Sequence, residues 1–149
     1  MKLPSGKYYI GDPCYVLDDS VLDNMFVPYM QFRKDSNIFI DNAPVFEFEK
    51  YKYSIASTLV GDGVYFDKDD NEYGVDSGTL ACIPIELIKK YPKLDKYGNS
   101  KIGSFLGDYG HSKTIDNDFE VDYRVYRFGS TDDIYLMIDD VMIFLTDEL

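Results

Sequence analysis

The feature that most constrains the fold is the alternation of apolar and charged side chains along several short segments. The clearest case is residues 119–128, Phe-Glu-Val-Asp-Tyr-Arg-Val-Tyr-Arg-Phe, and residues 46–53 place aromatic residues on one face and charges on the other. A repeat of two residues is the period of a β-strand, and it predicts antiparallel strands that bury one face. The alternating Glu and Lys residues at 47–52 suit an edge strand, because charges discourage pairing with a further chain.

Further short β-prone runs extend this prediction along the chain. They are separated by turn-forming residues and lie at 7–10, 38–40, 64–66, 73–75, 79–83, 134–138 and 141–145. We expect 64–66 and 73–75 to form a hairpin around the polar loop 67–72, and 79–83 to be a central strand. The segment 119–128 and the last two runs predict a three-stranded meander.

Two segments have helical signals instead. Asp18, Asp19 and Ser20 offer N-capping side chains, and apolar residues follow them at helical spacing, which predicts a main helix at about 19–33 that Pro28 ends or kinks. Pro84 and Pro92 bracket a short helix at about 85–91. With 149 residues, the chain predicts a single domain, 1–149, of the α+β class. Its sheet is expected to be mostly antiparallel and curved or barrel-like, and residues 93–104 are expected to form a long surface loop.

The charge of the chain limits its partners. Asp and Glu number 27 against 15 Lys and Arg, so the net charge is −12. This field repels nucleic-acid phosphates, which disfavours direct nucleic-acid binding, and it attracts a basic protein surface. The N-terminal residues lack an apolar signal region, and no apolar run approaches the roughly 18 residues of a membrane span. We therefore expect a cytoplasmic protein that is not bound to a membrane. Cys14 and Cys82 lie far apart in the sequence and show no metal-binding pattern, and we expect both thiols to be reduced.

Three Gly-Asp pairs, at 11–12, 61–62 and 107–108, are each followed closely by a tyrosine. Glycine and aspartate are the usual composition of a turn, and the same carboxylates could also form a site. One alternative is therefore a Mg²⁺ or Mn²⁺ site, built from Asp12, Asp62 and Asp76 beside Tyr15 and Tyr65, in a metal-dependent phosphoesterase or nucleotide-processing enzyme. His111 is the only histidine, and no serine-hydrolase elbow or phosphate-binding loop occurs, so no catalytic residue is assigned.

Two groups of acidic residues are candidates for binding a partner. The first group is Asp67, Asp69, Asp70 and Glu72, and the second is Asp116, Asp118, Glu120 and Asp122. The first group opens like an EF-hand loop, but it lacks the glycine and the final glutamate of that calcium site. A further alternative is an aromatic pocket that sequesters a small ligand such as a nucleotide, formed by Tyr8, Tyr9, Tyr15, Tyr65 and Tyr73.

Two stretches resemble small uncharacterised proteins encoded by bacteriophages and other mobile elements. They are Gly11-Asp12-Pro13-Cys14-Tyr15-Val16, and Gly61-Asp62-Gly63-Val64-Tyr65 followed by residues 73–78, Tyr-Gly-Val-Asp-Ser-Gly. The resemblance covers scattered blocks in the first 90 residues and implies a bacterial host cell, but no assigned activity. Together with the charge, it leads us to expect an acidic accessory or counter-defence protein without a required cofactor, which blocks a basic host nucleic-acid-binding protein.

Overall fold

The computed structural model describes residues 2–35, 44–101, 110–128 and 131–145, and every structural statement below concerns these residues. The expected strand at 38–40 and the third Gly-Asp pair lie outside them. The strands are β1 (Gly6–Gly11), β2 (Val45–Phe48), β3 (Tyr51–Ser57), β4 (Gly63–Phe66), β5 (Glu72–Val75), β6 (Thr79–Pro84), β7 (His111–Ile115), β8 (Val121–Phe128), β9 (Thr131–Ile138) and β10 (Val141–Phe144). The helices are α1 (Asp19–Asp35) and α2 (Ile85–Lys90), and a 3-10 turn spans Pro13–Tyr15.

A five-stranded antiparallel sheet forms the centre of the structure. Its strand order is β2-β3-β6-β1-β7, so β6 is central, as its apolar sequence predicts, and β2 lies at an edge, as its charges predict. Strand β6 is buried except at the half-buried Pro84, and β1 is buried from Tyr8 to Gly11, after the exposed Gly6 and Lys7. Their buried side chains alternate between two separate hydrophobic cores, which explains why residues 8–10 and 80–83 read as continuous apolar runs.

The two helices cover one face of this sheet. The core there combines Tyr9, Tyr53 and Ile83 of the sheet with apolar residues of α1 and α2. Helix α1 continues through Pro28, although proline cannot donate the usual backbone hydrogen bond. Buried neighbours hold it, since the Tyr53 hydroxyl donates to the Met25 carbonyl at 2.7 Å.

The opposite face is covered by two smaller sheets. The hairpin β4-β5 forms one, and the meander β8-β9-β10 forms the other, both as the sequence predicts. Their apolar residues pack with Tyr8 and Ile10 of β1 into the second core. The expectation of an α+β fold with mostly antiparallel strands is confirmed, but the barrel-like sheet is wrong for the described strands, which form three separate sheets without a closed barrel. Neither smaller sheet is hydrogen-bonded to the central sheet as a further strand, so the described strands do not close into a barrel.

Candidate functional site

The carboxylate of Asp12 joins the two sequence blocks that stood out in the sequence. Asp12 is fully buried. Its Oδ1 accepts from the Cys14 amide and the Ser77 hydroxyl, both at 2.8 Å, and its Oδ2 accepts from the amides of Asp76 and Ser77, both at 2.7 Å. Four donors therefore surround this carboxylate, and it fixes the turn after β1 to the turn between β5 and β6.

Of the other residues of the expected metal site, Tyr15 and Asp76 lie beside Asp12, whereas Asp62 and Tyr65 belong to the start of the β4 hairpin. Asp76 is exposed, and its carboxylate accepts a hydrogen bond from the Tyr15 hydroxyl at 2.8 Å. Tyr15 and Asp76 are therefore in direct contact next to the buried Asp12. Asp62 is exposed, and the buried Tyr65 donates to the neighbouring Gly61 carbonyl at 2.7 Å. Within the described residues, no group of three or more His, Cys, Asp or Glu side chains is arranged to hold a metal ion.

The acidic loop between β4 and β5 is organised around Asp67. Asp67 is 4% exposed, and its carboxylate accepts from the amides of Asp69 and Asn71, at 2.9 and 3.0 Å, and from the Tyr73 hydroxyl at 2.9 Å. Burial alone raises the pKa of this carboxyl, but hydrogen bonds from Asn71, Tyr73 and the Asp69 amide hold the pKa below its usual range. Asp67 therefore shapes the loop.

The remaining carboxylates of the loop are exposed, and a second acidic turn lies beside them. Asp69, Asp70 and Glu72 point to solvent, and Asp70 adopts a left-handed conformation, with φ 63°, that aspartate tolerates. The turn between β9 and β10 carries Asp139 and Asp140, also exposed. An antiparallel bridge between Asp67 and Ile143, and a hydrogen bond from the Lys68 amide to the Met142 carbonyl at 3.1 Å, hold the two turns together.

These two turns border an open cleft of about 460 Å³. Tyr73 and His111 line it, with ring centres 4.7 Å apart at a steep angle, and the His111 Nε2 lies 2.8 Å from the Glu72 carbonyl oxygen. Lys113 also lines the cleft and pairs with Asp140 at 2.8 Å. Sequence reasoning missed Lys113 and the Asp139-Asp140 turn, although two aspartates between the apolar runs 134–138 and 141–145 are a signal of an acidic hairpin turn.

The second group of predicted acidic residues lies away from this cleft. Strand β7 runs from His111, beside Ile10, to Ile115, beside Gly6, so its two ends are about 13 Å apart. Asp116 and Asp118 follow its far end, and Asp118 accepts from the Ser5 amide at 3.2 Å. The rest of that group lies at the start of β8, where Glu120 is exposed and Asp122 is partly buried beside Arg124, at 3.7 Å. The two acidic groups thus form separate surfaces.

The tyrosines of the expected ligand pocket are divided between the cores. Tyr8, Tyr65 and Tyr73 belong to one core, and Tyr9 belongs to the other, against which Tyr15 packs. The sheet separates them because neighbouring residues of a strand face opposite sides. Among the five, Tyr73 lines the acidic cleft.

Among the described contacts, no hydrogen bond joins the thiol of Cys14 or Cys82 to His111. Burial, and then the Asp12 carboxylate, raise the pKa of the Cys14 thiol well above its usual range, and burial raises that of Cys82. Neither thiol is therefore activated as a nucleophile at neutral pH. Both cysteines are free of disulfides.

Neither described helix combines the length and apolar character needed to cross a membrane. Comparison of the chain with protein-family models, with curated proteins and with solved structures found no match.

Proposed function

We propose that this protein acts by binding, and that its acidic turns dock on the basic, nucleic-acid-binding surface of a host protein and block it. The observation that carries the proposal is the construction of loop 67–72 around the buried Asp67 carboxylate. A loop that is ordered before binding loses less conformational entropy on association than a mobile one. The exposed carboxylates of Asp69 and Asp70 are thereby held ready for a cationic partner.

The charge distribution supports the same function. The net charge of −12 attracts a basic surface from a distance and increases the rate of encounter. The turn with Asp139 and Asp140 lies beside loop 67–72 and extends the acidic surface across two hairpins. A nucleic-acid-binding groove is a fitting partner because its lysines and arginines are arranged to receive closely spaced negative charges. Under this proposal the protein is a counter-defence or accessory factor of a mobile element.

Charge reversal at the acidic turn tests the proposal. Tagged protein is used to capture partners from a bacterial lysate, and the captured protein is then challenged with duplex DNA. We expect the wild type to retain a nucleic-acid-binding protein that DNA displaces, and the Asp69→Lys, Asp70→Lys double variant to lose at least about tenfold in affinity for it. Binding should also weaken as salt rises, since exposed charges are screened.

The matched control is Asp23→Lys with Asp62→Lys, which changes the net charge by the same amount at two exposed positions on other elements. This control should bind within about twofold of the wild type, because local charge placement outweighs total charge at a docking surface. Equal losses in both double variants, or a captured partner that DNA does not displace, would refute the proposed function.

A further inference from the structure

A second cleft, of about 380 Å³, has the opposite charge to the rest of the molecule. It lies at the end of the five-stranded sheet where β1 and β3 begin and β6 ends. Four lysines line it: Lys7, Lys50, Lys52 and Lys89. A single carboxylate, that of Glu86, lies among the lining side chains. In a chain with net charge −12 and only 15 Lys and Arg, this concentration of cations is a local reversal of the protein's field.

The four lysines have no carboxylate partner within salt-bridge distance among the described residues. Three other lysines do have one, since Lys90 pairs with Glu49, Lys93 with Asp19 and Lys113 with Asp140. Glu47 lies opposite Lys52 across the β2-β3 pair, and the Lys50 charge acts on Glu49, but neither carboxylate comes within salt-bridge distance of these lysines. Because a lysine ammonium is a compact and strongly hydrated charge, four that lack such a partner around one cleft can receive an anion such as a phosphate group.

The cleft also has an apolar wall. Tyr51 is half-buried, and the Lys50 ammonium lies 5.5 Å from the centre of its ring. The buried Tyr8 and Ile85 contribute further apolar lining. Cations beside aromatic and aliphatic surface suit a ligand that has both a charged and a ring-shaped part.

We propose that this basic cleft binds a small phosphorylated molecule with an aromatic ring, of which a mononucleotide is the simplest example. The lysines hold the phosphate, and the ring lies against Tyr51 and Ile85. The volume falls in the range of small-molecule pockets, roughly 300–1,000 Å³. A long nucleic acid is disfavoured, because the acidic chain around the cleft repels its further phosphates. Asp118 borders the cleft through its bond to the Ser5 amide and limits its anion affinity.

Isothermal titration with AMP, adenosine and inorganic phosphate tests this site. AMP should bind more tightly than either fragment, because it alone engages both walls of the cleft. We expect Lys7→Gln with Lys52→Gln to weaken AMP binding by about tenfold or more, and Asp118→Asn to strengthen it about twofold. The asparagine oxygen can still accept from the Ser5 amide. Since these positions are exposed, the variants should keep the wild-type fold, which circular dichroism verifies.

The control is Lys96→Gln with Lys101→Gln, which removes the same charge outside the cleft and should leave AMP affinity within about twofold. NMR shifts caused by AMP should map to the starts of β1 and β3. The site is overturned if AMP shows no binding at about 5 mM, a concentration at which even a millimolar Kd would be detected. It is also overturned if adenosine binds as tightly as AMP. Equal loss in the control double variant, or an unchanged affinity in Lys7→Gln with Lys52→Gln, overturns it as well.

Discussion

Replacement of Asp12 by asparagine removes the charge from the centre of the contact between the two turns. Asparagine has almost the same shape, so packing is preserved, but its NH₂ group faces two backbone amides that now donate to Oδ2 at 2.7 Å. Each hydrogen bond to a charged group contributes about 1.5–3 kcal/mol, and two are lost in a fully buried place. We therefore expect the free energy of unfolding to fall by about 4 kcal/mol.

Urea unfolding followed by far-ultraviolet circular dichroism measures this change. With a slope of about 2 kcal/mol per molar urea, a loss of 4 kcal/mol lowers the midpoint by about 2 M. The matched control is Asp62→Asn, which alters the aspartate of another Gly-Asp pair at an exposed position and should shift stability by less than about 0.5 kcal/mol.

A fall in the unfolding free energy of Asp12→Asn of less than about 1 kcal/mol, or one no larger than the fall in the Asp62 control, would contradict this expectation. Either result would mean that water or neighbouring groups satisfy the amides of Asp76 and Ser77 as well as the carboxylate does.

The pKa of Asp67 is lowered in the folded state, so its contribution to stability is present above the unfolded pKa of about 4 and is lost as the pH falls through the folded pKa. The difference in unfolding free energy between the wild type and Asp67→Asn, measured by urea unfolding, should therefore narrow from about pH 6 to about pH 3. A difference that stays constant over this range would contradict the prediction. Gly110→Ala should cost about 1–3 kcal/mol in the same assay, because the new Cβ would lie 2.6 Å from the buried Tyr9 ring, and an unchanged stability would contradict it. The raised pKa of the half-buried Cys14 should make its alkylation by iodoacetamide at pH 8 at least about tenfold slower than that of free cysteine, and mass spectrometry of the alkylated peptide would show an equal rate if this were wrong.

Much of the fold was readable from local pattern. The main helix, expected at 19–33, is Asp19–Asp35, the short helix, expected at 85–91, is Ile85–Lys90, and the meander and hairpin are present as predicted. Period and capping signals act over a few residues, so sequence reasoning reaches them. The loop expected at 93–104 is partly structured in its described residues, since Leu94 and Ser100 form an antiparallel bridge.

The candidate site was less predictable because it depends on contacts between distant residues. The Gly-Asp pattern indicates Asp12 as a candidate. Only the fold shows that the four donors to its carboxylate include Asp76 and Ser77, which follow it by 64 and 65 positions. Composition alone indicates the acidic loop 67–72. The position of the Asp139-Asp140 turn beside that loop, and the basic cleft around Lys7 and Lys52, depend on how the strands are arranged and cannot be read from local sequence. The single-domain organisation and the partner surface stay predictions.

The position of strand β1 has a consequence for how the chain folds. Its Ile10 pairs with Cys82 and with His111, which follow it by about 70 and about 100 residues, and such non-local contacts slow folding to milliseconds or longer. During synthesis, β1 leaves the ribosome long before either partner exists. Its apolar residues must therefore wait unpaired until β6 and then β7 emerge. We expect chains truncated before β7 to aggregate or to engage chaperones, since an unpaired apolar strand is a template for association.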